Sequence, residues 1–572
     1  MKKILFALCL LGWSVLFAQQ TPFELSGGKN TATYQEIIKF YSTLAGKTDL
    51  VSLKTMGLTD AYYPLHLVLV SGDGDTNPAS WQKKGKTIIL INNGIHPGEP
   101  DGIDASMMLV RDIIGKKIIL PVNIALAIIP VYNIGGCLNR NAYTRANQNG
   151  PKEYGFRGNS QNLDLNRDFT KCDSRNAKSF AEIFHFIKPQ LFIDNHVSDG
   201  ADYQHTMTLI STQYEKLGGN LGKFLKETFE PAIYLSMKNK QWDLIPYVDF
   251  SSSDFDKGIN MFFESPRYSS GYAALFQAIS FIPETHMLKP YAQRVQSTYD
   301  LMVAIAGQAG KFGKEINSWQ KQDQKAVAER KEFVLSWAID TSHYSPIIFK
   351  GYQTSTALSA ATGLDKMYFD HTKPYTRNVK FYNTYVPVKT IKAPRAYIIP
   401  HGWYNVADLL KLNGVYLTQF ARDTLIAAGV YHIDDYKSFP RPYEKHHKNY
   451  AVKTSISQEQ VQVRKGDYIV YINQPTNKYI VEMLEPEGDD SFFAWNFFDG
   501  ILQQKEGYSD YRWEDIAAGV IQKDTALYRR LQVKKLADTA FAGNSSAILD
   551  YIYRNSPWFE KAYLRYPVYR LD

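Results

Sequence analysis

Cysteine is almost missing from this 572-residue chain, which carries only Cys9, Cys137 and Cys172. That excludes a disulfide-framed scaffold, and it excludes a thiolate zinc site, because the thiols lie far apart with no Cys or His beside them. Long apolar runs are equally scarce. Residues 4–17 form one, shorter than a bilayer requires, and nothing later is long enough for a membrane span. Blocks of one charge sign are missing too. The net charge of +8 is spread along the chain, which argues against a nucleic-acid partner. There is no internal repeat, no low-complexity segment, no Gly-x-Ser-x-Gly elbow and no phosphate-binding loop.

What is present reads as an ordinary globular protein, 44% hydrophobic and 21% charged, and its length calls for two domains. The start, "MKKILFALCLLGWSVLFAQQ", has two lysines, an apolar run and a small residue before the polar Gln19. This is the pattern of a cleaved secretory signal over residues 1–18, so the mature protein is expected outside the cytoplasm. Cleavage leaves Cys137 and Cys172, a pair able to bridge in an oxidising compartment.

Along residues 19–312, short Ile/Val-rich runs alternate with helical patterns. The runs at 62–71, 87–91, 123–131, 190–194 and 278–283 read as buried strands. Residues 102–114, 174–187 (with Ser174 as N-cap) and 290–309 (with Pro290 in the first turn) read as helices. The expected fold is α/β, a mixed central sheet with helices on both faces. Residues 313–335 are charged and helix-compatible, and read as a linker or connecting helix. Residues 336–572 read as a second, mixed β-containing domain with strands at 395–400, 467–473 and 478–484 and a helix at 405–420. The acidic stretch Glu485, Glu487, Asp489, Asp490 reads there as a solvated turn, and His446 and His447 as loop residues.

In open α/β sheets, ligands gather beyond the carboxyl ends of the strands. After 87–91 comes "GIHPGEP", where Pro97 and Gly98 keep His96 and Glu99 off any helix and on a tight turn. After 190–194 comes His196, and after 278–283 comes Glu284. Between them, "LDLNRDF" carries Asp164, Asn166 and Arg167. Two His and one Glu form the ligand set of many catalytic zinc sites, which keep the fourth position open for water. A nearby carboxylate that does not bind metal then serves as general base, a role that suits Glu284. Chance alone gives about one His-x-x-Glu in a chain with this many histidines, so the weight lies in the conjunction of these segments at strand ends.

In their order, "GIHPGEP", "LDLNRDF", "DNHVSDG" and "PETHMLKP" resemble the zinc carboxypeptidase family over about residues 30–310. The resemblance implies one Zn2+ per chain held by His96, Glu99 and His196, with Glu284 activating water. It implies Asp164 behind His96, and Asn166 and Arg167 gripping the free C-terminal carboxylate of a peptide, for which a guanidinium fork is well shaped. A further arginine would polarise the scissile carbonyl. Arg140, Arg145 and Arg157 are available, and position favours Arg145. Residues 264–272 would line the pocket for the terminal side chain, with Arg267 able to point into it. Tyr268 stands nearest the place of the family's mobile tyrosine, and Tyr272 is the other choice. The leading expectation is an exported metallocarboxypeptidase. An amidase or deacylase acting on cell-wall peptides or N-acyl amino acids would use the same metal site, and a peptide-binding protein without catalysis would not need Glu284.

Overall fold

The computed structural model describes residues 19–248 and 257–572, so the expected signal segment lies outside the described residues. The sheet that carries the site has nine strands. Its strands are β1 (Val51–Leu58), β2 (Pro64–Ser71), β3 (Thr87–Asn92), β4 (Ile124–Ile129), β5 (Leu191–Asp194), β6 (His196–Ser198), β7 (Met207–Ser211), β8 (Ile245–Pro246) and, after the short β9 (Ile259–Asn260) of another sheet, β10 (Ile279–His286). The order is β1-β2-β4-β3-β5-β10-β7-β8, with β6 also paired to β10. β4, β3, β5 and β10 run parallel, whereas β1 pairs antiparallel with β2, β2 with β4, and β7 with β10, so the sheet is mixed as expected.

Alternation along the strands divides the interior in two. Ile89, Ile91, Leu191 and Ile193 face α1 (Asp101–Ile114) and a long helix described below, in one apolar cluster. Ile88, Leu90 and Phe192 face α2 (Arg175–Ile187) in the other. Side chains of a strand alternate between faces, so strands covered on both sides must be apolar throughout. This is why the Ile/Val runs were legible as strands. Ser174 caps α2 by accepting the Ala177 amide. Cys137 and Cys172 are buried, unbridged, and in different clusters on the two sides of the sheet, so the possible disulfide does not form.

No linker separates the two halves. Helix α3 runs unbroken from Tyr291 to Glu329, through the expected boundary at 312, and the next strand begins three residues later. The C-terminal half holds β11 (Glu332–Ile339), β12 (Ser345–Leu358), β13 (Asp365–Tyr382), β14 (Tyr385–Lys392), β15 (Ala396–Ile399), β16 (Thr418–Gln419), β17 (Thr424–Ser438), β18 (Asn449–Val463), β19 (Tyr468–Tyr471) and β20 (Arg565–Leu571). β12 and β13 form a long hairpin joined to β9, and β17 and β18 form another on the edge of a six-stranded sheet. Tyr397, Ile399, Tyr479 and Phe492 belong to the same cluster as α2, so this half completes the core of the first.

Three expectations change here. Residues 478–484 form the helix Asn477–Leu484 instead of a strand: the central Tyr-Ile-Val run is strand-like in composition, and a short apolar run does not by itself separate helix from strand. The helix expected over 405–420 spans Tyr404–Leu412 and stops before Gly414, whose φ of +75° ends it. The acidic turn is only partly solvated: Asp489 is exposed and Glu487 half-buried, but Glu485 and Asp490 are buried. Glu485 is held by Arg570, Tyr397 and Tyr431, and Asp490 pairs with Arg267. Among the described residues, no helix is long and apolar enough to cross a membrane.

Candidate metal centre

The turn after β3 closes with the Glu99 amide donating to the His96 carbonyl at 2.8 Å. Gly98 is required there, because a Cβ would lie 2.8 Å from Cδ of Arg145. The third ligand candidate comes from β6. Register fixes it beside the fourth residue: in the β6–β10 pair, His196 stands opposite Glu284.

The three candidate ligands form one buried group whose nearest ligand atoms all lie within 4.8 Å of one another. Nδ1 of His96 is 3.3 Å from one Glu99 oxygen, and Nδ1 of His196 is 3.3 Å from the other. Each ring turns its outer nitrogen to a carboxylate: Nε2 of His96 to Asp164 at 2.8 Å, and Nε2 of His196 to Asp194 at 3.0 Å. Asp194 is itself fixed by the Asn92 side-chain amide at 2.9 Å. A histidine that donates Nε2–H presents a bare Nδ1 lone pair. Two such lone pairs facing carboxylate oxygens repel unless a proton or a metal cation lies between. The donor set therefore fits a divalent cation, and nitrogen with carboxylate oxygen is the donor chemistry of zinc.

The charges point the same way. Burial opposes ionisation of Glu99, but the charges of His96 and Arg145 and hydrogen bonds from both histidines hold it well below the usual carboxylate range. Burial lowers the affinity of His196 for its proton, yet Asp194, Glu99 and Glu284 raise it well above the ordinary value. Burial pushes Glu284 up to about 8; Glu99 and Glu264 add to the push, and His196 and Arg145 oppose it. Of the four groups, Glu284 is the carboxylate left without a fixed cation partner.

A cavity of 310 Å³ opens on these residues. Arg145, Asn166, Arg167, Tyr268 and Glu284 line it with the ligand set. Arg167 lies 4.4 Å over the Tyr268 ring and donates to the Asn166 carbonyl at 2.8 Å. Tyr272 is instead packed in the core and donates to Asn413. Arg267 does not line the cavity. Its Nε pairs with buried Asp490 at 2.9 Å and its guanidinium lies over Trp495, so it ties the two halves together.

The two remaining arginines differ. Arg145 is spent on protein groups: Glu99 at 2.7 Å, Gln148 at 2.7 Å and the Val197 carbonyl at 3.1 Å. Arg157 grips Asp164 through Nε and Nη2, while Nη1 reaches 3.3 Å from Nδ1 of His96, and its side chain is 44% exposed against 16% for Arg145. Arg140 binds backbone carbonyls outside the cavity. Sequence reasoning passed over Asp194 and Glu264. Asp194 had a visible signal, since it stands two residues before His196 and shares its face in extended chain. Glu264, a buried carboxylate in the cavity wall accepting the Ser270 amide at 2.9 Å, lay in the expected pocket segment 264–272 but was given no role of its own.

No family model matches the chain. It is 20% identical over 455 residues to carboxypeptidase 2 of Trichophyton rubrum, covering 76% of this chain and 77% of that protein. It is likewise 20% identical over 432 residues to carboxypeptidase 2 of Trichophyton equinum, covering 72% and 74%. Among solved structures, it aligns with a metallo-carboxypeptidase from Burkholderia cenocepacia at 16% identity and a TM-score of 0.37, covering 49% of this chain and 70% of that one. It aligns with carboxypeptidase A from Helicoverpa armigera at 14% identity and a TM-score of 0.36, covering 50% and 73%. The sequence likeness to these carboxypeptidases spans about three-quarters of both chains, and the four ordered segments that resemble their family converge here at one cavity.

Proposed function

We propose that the protein is an exported zinc carboxypeptidase that removes residues from the C-terminal end of peptides. The observation that carries the reading is the ligand trio with both outer imidazole nitrogens on carboxylates, beside Glu284 on the paired strand, which makes no ion pair among the described residues. Nδ1 of His96, Glu99 and Nδ1 of His196 would hold one Zn2+. Bound there, zinc supplies Lewis acidity toward water and the scissile carbonyl. Glu284 accepts the proton of the attacking water and passes it to the leaving amine, which needs its ionised form at the start. Positive charge on the ligand trio draws Glu284 down from its elevated value toward that form. Asp164 and Asp194 keep the two rings in the Nδ1-presenting tautomer.

Asn166 and Arg167 would bind the terminal carboxylate, with the Tyr268 ring holding the guanidinium plane by stacking. Arg157 takes the carbonyl-polarising role in place of Arg145, because its Nη1 faces the ligand trio while Arg145 is committed to Glu99. The exported location rests on residues 1–18 alone.

The test is a peptide library digested by zinc-loaded protein and read by mass spectrometry. Stepwise loss of single C-terminal residues is expected. Internal cuts would contradict the reading.

A further inference from the structure

The C-terminal half reaches the site at two places. The β12–β13 hairpin lies along residues 202–205, just after the third ligand: the Gln204 amide donates to the Lys350 carbonyl at 3.0 Å, and His371 meets Asp202 at 2.6 Å. The turn of the β17–β18 hairpin lies on the other side, against residues 164–173. There the Asp164 main-chain amide donates to Oε2 of Glu444 at 2.8 Å.

That contact is built with some insistence. Residues 443–446 form a tight turn, with Tyr443 and His446 exchanging main-chain hydrogen bonds at 2.8 and 3.1 Å. Its two central residues, Glu444 and Lys445, have φ of +48° and +76°. A turn with both central residues left-handed favours Asn-Gly, and other residues there cost about 1–3 kcal/mol each. The turn is anchored by His446 on Asp173 at 2.6 Å and by Tyr443 stacked on Trp495. Asp164 has no spare group. Its carboxylate takes His96, the Asn166 amide and Arg157, and its own amide goes to Glu444.

We propose that Glu444 is a positioning residue. By holding the Asp164 amide, it fixes the short turn whose carboxylate orients His96 and whose Asn166 and Arg167 face the cavity. The C-terminal half is thereby part of the active site without touching the reacting atoms. This rests on the metal and peptide roles proposed above.

The test uses the full chain with Glu444→Ala, Glu444→Asp and Glu444→Gln, and Lys445→Gly as a control. Zinc affinity is read by competition with a chromogenic chelator, and kcat and KM with a free-acid peptide. Glu444→Ala and Glu444→Asp, which remove or withdraw the acceptor, are expected to weaken zinc binding about three- to tenfold, less than the 10–100-fold typical of a direct partner of a ligand. KM should rise with kcat little changed. Glu444→Gln keeps an acceptor oxygen and should behave as wild type, as should Lys445→Gly, which suits the left-handed backbone. Wild-type zinc affinity and KM in Glu444→Asp would overturn the inference, as would Glu444→Gln as impaired as Glu444→Asp. A wild-type protein that binds zinc but leaves peptides intact would instead overturn the proposed function, and the zinc arm would still decide the role of Glu444.

Discussion

The central sheet and the long hairpins of residues 345–463 are both β structure, yet they are used oppositely. Every residue of β3, β4 and β5 is buried, whereas β12 and β18 alternate between half-buried and exposed along most of their length. A strand packed on both faces cannot shift without moving two helical layers, so the groups at its end are held firmly. His96, His196 and Glu284 sit at or just beyond such ends. A hairpin exposed on one face has freedom to extend, and here two of them reach from the second half to the loops between those strands. The difference teaches a division of labour: the sheet sets the positions of His96, His196 and Glu284, and on the reading proposed above the β17–β18 hairpin steadies the loop that carries Asp164, Asn166 and Arg167.

The comparison breaks most sharply at Glu284. Glu284→Gln is nearly isosteric and should leave zinc binding in place while lowering kcat by about 10²–10⁴-fold, the contribution usual for a general base. A kcat within a few-fold of wild type would remove Glu284 from the mechanism. Next in size is Asp194→Ala, expected to weaken zinc binding 10–100-fold by freeing the His196 ring. Unchanged affinity in a metal titration would show that β5 contributes only packing.

The contrast in burial has its own measure. Ile91→Ala, at 1% exposure in β3, should cost about 2–5 kcal/mol in urea unfolding. Ile348→Ala, at 57% exposure in β12, should stay within about 0.5 kcal/mol. Equal costs would erase the distinction between mount and arm. The smallest effect concerns the hairpin anchor. Burial opposes ionisation of Asp173, but His446 and Lys171 lower it from 3.8 to about 2. A depressed folded-state value means stability present above about pH 4 and lost as pH falls toward 2. Asp173→Asn should flatten the acid limb of a stability–pH series in that window, and an unchanged limb would show that the pairing adds nothing.

How much of this was readable beforehand follows from the same contrast. β3, β5 and β10 announced themselves because burial on both faces forces an unbroken apolar run, and the residues just beyond those runs included the proposed ligand set and the proposed base. Asp164, Asn166 and Arg167 were picked out by their short motif; Asp164 meets His96 at 2.8 Å, and Asn166 and Arg167 line the cavity. Arg267 was misplaced because its partner, Asp490, lies 223 residues away in sequence and no local pattern signals a pairing of that span. Arg145 was ranked above Arg157 on position alone for the same reason: their difference lies in which acids they meet. Residues 478–484 failed because a short Tyr-Ile-Val run favours strand by composition while packing against the core makes it a helix. Glu444 was invisible, since what makes it notable is a left-handed turn and a contact across 280 residues.

The central claim, that this cavity recognises a free chain end beside a zinc ion, is tested most directly by one pair of substrates. The same peptide is offered to zinc-loaded protein as a free acid and as a C-terminal amide, and kcat/KM is compared. Loss of the charge opposite Arg167 should reduce kcat/KM for the amide by roughly 10²-fold, as when one partner of a buried charge pair is removed. Equal values for the two peptides would contradict the account and point to an enzyme indifferent to the chain end.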